Sequence, residues 1–169
     1  MRSAKRHPWI FLINVLIFFT VIMFDSNGIL DISIKNATPL IALPLLTAFA
    51  VFGSLRAACI VGLITGALID STAGGTYCFN TISFFVLGVG VYLAANNLFN
   101  KNLRAVTALT VIVAVFYYVA YWLTFMAIGV GIENSLIYLL SYGLPSALYS
   151  AAFIFPFFFI YRHFNKLQN

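Results

Sequence analysis

Few side chains in this sequence can do chemistry, and their placement restricts them further. The acids are Asp25, Asp31, Asp70 and Glu133, and the histidines are His7 and His163. No Ser/His pair or acid pair falls inside one apolar run, as intramembrane proteolysis would need. No His/Cys/acid cluster has metal-ligand spacing. Cys59 and Cys78 are separated by most of a helix, too far for a disulfide. An ion or proton path wants ionisable groups in mid-span, yet all four acids sit in polar breaks or at their edges. These residues predict no enzyme, no cofactor and no metal.

The strongest pattern serves packing. Ser54, Ala58, Gly62, Gly66 and Asp70 recur every four residues, which keeps them near one helix face. Gly62-x-x-x-Gly66 lets a second backbone come close, so dispersion contacts and weak Cα–H···O bonds can form. That second backbone is either another helix of this chain or a separate protein. Asp70 closes the stripe, and three roles are open to it: hydration, capping of amides in Ser71–Gly75, or contact with a partner or ligand. Gly74 and Gly75 give the adjoining loop its backbone freedom. They lack the strand and helix of a phosphate loop. Asn14, Asn80, Asn96 and Asn97 fit helix-to-helix hydrogen bonds. Tyr117, Tyr118, Tyr121 and Trp122 spread over a broad face, where Tyr117, Tyr121 and Trp122 either line a cavity or pack against neighbours.

These residues need apolar helices to position them. Hydrophobic residues make up 63% of the 169, charged residues 8%, and mean hydropathy is +1.02, against about 25% charged in ordinary soluble domains. Thirteen charges cannot cover a soluble globule of this size, so the composition excludes a soluble domain and a disordered chain. A spanning helix needs roughly 20 apolar residues. Spans are predicted over 8–24, 38–54, 57–69, 79–99, 105–130 and 136–161, within a single transmembrane domain of residues 1–169. The first is read as an uncleaved span, since no small-x-small cleavage pattern follows it. Pro39 suits a helix start, whereas Pro44, Pro145 and Pro156 are expected kinks.

Charge placement supports six spans with both termini cytoplasmic. The inner segments then hold Arg2, Lys5, Arg6, Arg56, Lys101, Arg104, Arg162 and Lys166, with no acid. The outer loops hold Lys35 and all four acids. Basic residues favour the cytoplasmic side of short loops, and removing the short third span would put Lys101 and Arg104 outside. Trp9 and Tyr161 fall near the inner interface, which favours such rings. The net charge of +5 thus records orientation in a membrane and not nucleic-acid binding.

With this layout, Gly62-Leu63-x-x-Gly66-x-x-x-Asp70-x-x-x-Gly74 leading into a fourth span resembles the rod shape-determining protein MreD family. In the following loop that family commonly has Pro-Leu-Gly, where this sequence has Gly74-Gly75-Thr76. The resemblance implies a non-catalytic scaffold of the bacterial cytoplasmic (inner) membrane. It would bind the single-span protein MreC and act through it with MreB, RodA and PBP2 in lateral peptidoglycan synthesis. It also implies a six-helix fold like that of the substrate-binding subunits of energy-coupling-factor transporters. Such a vitamin-binding subunit is itself the rival reading. Those subunits resemble one another in an Ala-x-x-x-Ala pattern on the first helix, and Trp9–Phe24 contains no alanine. The aromatic cluster at Tyr117–Trp122 is what favours the rival.

Overall fold

A computed structural model describes residues 16–23, 25, 39–72, 77–97, 102–127 and 132–168. These residues are helical throughout, apart from short turns, and contain no strand. We label the helices α1 (16–23), α2 (Ala42–Phe52), α3 (Leu55–Thr72), α4 (Phe79–Asn97), α5 (Leu103–Tyr121), α6 (Ile132–Tyr138), α7 (Leu144–Ala152) and α8 (Ile154–Gln168). Wider π-helical turns continue α5 over Trp122–Ala127 and join α6 to α7 over Leu139–Gly143.

Among the described residues, four segments are long and apolar enough to cross a membrane: Leu55–Thr72, Phe79–Asn97, Leu103–Met126 and Ser135–Phe164. They correspond to the predicted third to sixth spans. Of the predicted first span, residues 16–23 are helical, and 8–15 and 24 lie outside the described residues. The third span is longer than its predicted 57–69. Ser54 starts the helix early, because its Oγ accepts the Ala57 N–H at 3.4 Å, as an N-cap serine does. At the far end Asp70 stays within the helix, which runs on to Thr72.

The predicted second span over 38–54 is helical over a shorter stretch than expected. Only Ala42–Phe52 is helical, about 16 Å at 1.5 Å per residue, roughly half of a 30 Å hydrocarbon core. Nine of its eleven residues are buried, and it packs against α3, α4, α5, α7 and α8. A helix that is apolar on every side belongs in the centre, and α2 is the post around which the longer helices stand. Phe49 near its end meets Phe18 of α1 and Tyr161 of α8 edge-on, at ring-centroid distances of 5.4 and 5.8 Å.

Pro44 does not kink α2. The helix starts at Ala42, so Pro44 sits in the first turn, where an N–H has no partner within the helix. The other two expected kinks coincide with breaks. The π-helical turn 139–143 precedes Pro145 and widens the backbone where the proline ring would meet the carbonyl four residues back. Before Pro156 the helix is interrupted at Phe153, whose N–H turns to the Ser150 carbonyl at 3.1 Å.

The most extensive helix pair is α3 with α4. A Cβ at Gly62 would lie 2.6 Å from the Phe84 carbonyl oxygen, and one at Gly66 only 2.5 Å from the Asn80 carbonyl oxygen. Gly88 returns the fit from α4, where a Cβ would stand 3.0 Å from the Ala58 carbonyl oxygen. Gly90, on the same helix, has nothing within 4 Å. Gly66→Ala should therefore cost about 1–3 kcal/mol through backbone displacement. Gly90→Ala should be neutral or gain up to about 1 kcal/mol through helix propensity. Thermal unfolding in detergent measures both, and equal effects would contradict this packing.

Candidate functional site

The close approach of α3 to α4 delivers Asp70 to the start of α4. Asp70 Oδ1 accepts the Asn80 backbone N–H at 3.2 Å and the Asn80 side-chain amide at 2.9 Å. Its Oδ2 accepts the Thr81 backbone N–H at 2.8 Å and the Thr81 hydroxyl at 2.6 Å. With Phe79 as the first helical residue, Asn80 and Thr81 carry the second and third amides of α4, the pair an N-cap side chain ordinarily satisfies. The local cap position is Cys78, whose sulfur is a poor acceptor. The cap therefore comes from another helix, and its negative charge meets the positive end of the α4 dipole.

The turn into α4 shows how tightly the chain is drawn there. Tyr77 and Cys78 have φ of 44° and 62°, a left-handed conformation that costs a non-glycine residue roughly 1–2 kcal/mol. The contact extends inward through Asn80, which is 2% exposed. Its Oδ1 accepts the Tyr117 hydroxyl at 2.5 Å. Tyr117 thus links α5 to the α3–α4 clasp.

A second acid does the same for α2. Asp25 Oδ1 accepts the Ile41 N–H at 3.2 Å and Oδ2 the Ala42 N–H at 2.8 Å. The Leu40 N–H goes to Ser150 Oγ of α7 at 2.8 Å. The next amides close on the chain itself: Leu43 to the Leu40 carbonyl at 3.2 Å and Leu45 to the Ile41 carbonyl at 3.3 Å. Pro44, between them, has no N–H to satisfy. Every donor from Leu40 to Leu45 thus has a partner, as a buried helix end without water requires. Ser150 also donates to the Ser146 carbonyl at 2.7 Å, and the Tyr118 hydroxyl interacts with both serines.

The predicted residues divide as follows. Ala58, Gly62 and Gly66 face α4 of this same chain, and Asp70 clasps its N-terminus. Gly74 and Gly75 lie outside the described residues. Of the aromatic group, Tyr117 borders a groove between α4 and α5. Tyr121 packs with Phe79 and Phe125 at 5.8 and 4.9 Å. Trp122 is buried and donates to the Ser135 carbonyl at 2.9 Å. Asn96 turns to its own helix, at the Tyr92 carbonyl. Cys59 and Cys78 are both free thiols, and no group of three metal-binding side chains occurs among the described residues.

Sequence reasoning missed Asp25 and Thr81. Asp25 reads as a polar stop because its amide partners are sixteen and seventeen residues away. Thr81 carried a weak signal, since a hydroxyl in the first turn of a helix often serves a cap.

Asp70→Ala should leave the Asn80 and Thr81 amides without an acceptor and destabilise the chain by about 1–3 kcal/mol. Asp70→Asn should fall between this variant and the wild type, because its NH2 faces one set of donors while its oxygen serves the other. Wild-type melting of Asp70→Ala would contradict the capping role.

No protein-family model matches this chain, and neither a curated protein nor a solved structure shows detectable similarity to it.

Proposed function

We propose that this chain is a non-catalytic scaffold subunit of the bacterial cell-elongation (rod) complex. It resides in the cytoplasmic membrane with six spans and both termini inside, in an arrangement like that of the energy-coupling-factor substrate-binding subunits. It binds an MreC-like single-span protein, and through it acts with MreB, RodA and PBP2 to direct lateral peptidoglycan synthesis.

The supporting observation is the use made of Asp25 and Asp70. Asp25 and Asp70 each bind two successive backbone amides at a helix N-terminus. The charge of these two carboxylates is engaged in fixing helices, which suits a protein whose output is a rigid surface. The Gly62–Asp70 pattern that resembles the MreD family is the same pattern that builds the α3–α4 pair.

Affinity-tagged chain, expressed in its own bacterium, should co-purify with the single-span protein, and its depletion should round rod-shaped cells. Gly66→Leu should lose the partner, because the α3–α4 pair cannot close over a leucine. Co-purification of Gly66→Leu at wild-type yield with normal cell shape would sink the scaffold reading. Tight vitamin binding by the purified chain, together with capture of an ATPase pair, would replace it with the transporter reading.

A further inference from the structure

The described charges are sorted to opposite ends of the helix bundle. Asp70 sits in the last turn of α3 and Arg56 in its first, ~21 Å apart along the helix. Asp25 is bonded at the start of α2. Glu133 stands two residues before Ser135, whose carbonyl takes the Trp122 indole N–H just past the end of α5. Tyr117 ties that end of α5 to Asn80, and so to Asp70. Arg104 lies in the opposite, first turn of α5, ~20 Å from Tyr117. Arg162 stands in α8, with its guanidinium carbon 5.8 Å from the centroid of the Phe158 ring. Phe158 in turn meets Phe52, the last residue of α2, at 5.5 Å. These acids thus share one end of the bundle, and Arg56, Arg104 and Arg162 share the other.

All three arginines are exposed, and helix length alone keeps Asp70 out of ion-pair range of Arg56. They stand where surfaces suited to lipid end. Leu55 and Ile60 beside Arg56, and Phe159 and Ile160 beside Arg162, are exposed apolar side chains on segments long enough to cross a membrane. An arginine in such a place lays its stem on the apolar surface and carries its charge to the level of the headgroups. The Phe158 ring positions Arg162 without taking up a hydrogen-bond donor. A guanidinium offers phosphate two parallel N–H···O bonds.

Distribution decides the kind of anion. Helices α3, α5 and α8 all pack against α2, so the arginines are carried round the end of α2 by three helices and not by one. A single acidic peptide calls for a compact patch, whereas the phosphates of a bilayer surround the protein. We propose that this end of the bundle is a docking surface for the phosphate headgroups of anionic lipids, met by Arg56, Arg104 and Arg162. The surface requires only that these helices cross a membrane, and it is independent of the scaffold partner.

The test offers the full chain, purified in neutral detergent, equal amounts of phosphatidylglycerol and phosphatidylcholine with matched acyl chains. Native mass spectrometry then counts the lipids retained. The wild type should keep phosphatidylglycerol several-fold over phosphatidylcholine. Arg56→Gln, Arg104→Gln and Arg162→Gln should each lower that ratio by up to about fivefold, and the triple variant should bring it to one. Unchanged melting of the triple variant in lipid-free detergent is the sign of an intact fold. If that variant does not fold, wild-type chain in vesicles containing phosphatidylglycerol with a photoreactive headgroup decides. Adducts should fall within one turn of the three arginines and spare Tyr77, which is 89% exposed at the acidic end. Equal retention of the two lipids by the wild type, an unchanged ratio in the triple variant, or equal labelling at Tyr77 would overturn the proposal. Displacement of the lipid by millimolar glycerol phosphate would also overturn it, in favour of a site for free phosphate esters. Displacement by a polyglutamate peptide would do so in favour of a face for an acidic protein.

Discussion

A carboxylate on the first amides of a neighbouring helix is the contact on which this fold turns. Inside a membrane the orphan N–H groups of a helix start have no water to turn to. Asp70 meets two of them in α4, and Asp25 meets two at the start of α2. Asp70 comes from the helix that precedes α4 and Asp25 lies two residues beyond α1, so each contact also ties together segments distant from the amides in sequence. Among the described residues the device appears twice, at 25 with 41–42 and at 70 with 80–81.

Backbone proximity comes before the hydrogen bonds. Asp70 reaches Asn80 and Thr81 because Gly66, one turn earlier, lies against the Asn80 carbonyl and the Thr81 Cα. A side chain at 66 would hold the helices apart and carry the carboxylate out of range. The clasp then reaches α5 through the Tyr117 hydroxyl on Asn80. The short α2 is served by a parallel set in which Ser150 of α7 supplies the remaining amide. The polar groups of these two contacts thus cluster where α2 and α4 begin.

Local features of this plan were legible in the sequence. Absence of Cβ at a period of four marks a close-packing face whatever it packs against, so Ala58, Gly62 and Gly66 stood out. Long apolar runs marked four of the helices. The partner of the stripe was not legible, because only tertiary structure chooses between α4 and a separate protein. Asp70 lies on the face of the stripe, but the contacts open to it from sequence were water, local amides or an outside partner, since capping rules describe neighbours in sequence and Cys78 gives no hint that its role is taken from another helix. Pro44 was misjudged by a boundary. Starting the helix near residue 38 puts the proline in its interior, whereas starting at Ala42 puts it where no N–H is needed. Tyr117, Tyr121 and Trp122 looked equivalent by composition, and only their placement in the fold separates a groove wall from ordinary packing.

The direct test of the clasp is a double-mutant cycle between Asp70→Ala and Thr81→Val, read as unfolding free energy in detergent. Thr81→Val keeps the shape of the side chain and removes the hydroxyl that Asp70 accepts. A shared contact predicts a coupling energy of about 0.5–3 kcal/mol. Additivity within about 0.5 kcal/mol would mean that the carboxylate and the Thr81 hydroxyl do not act together, which would contradict the clasp as described.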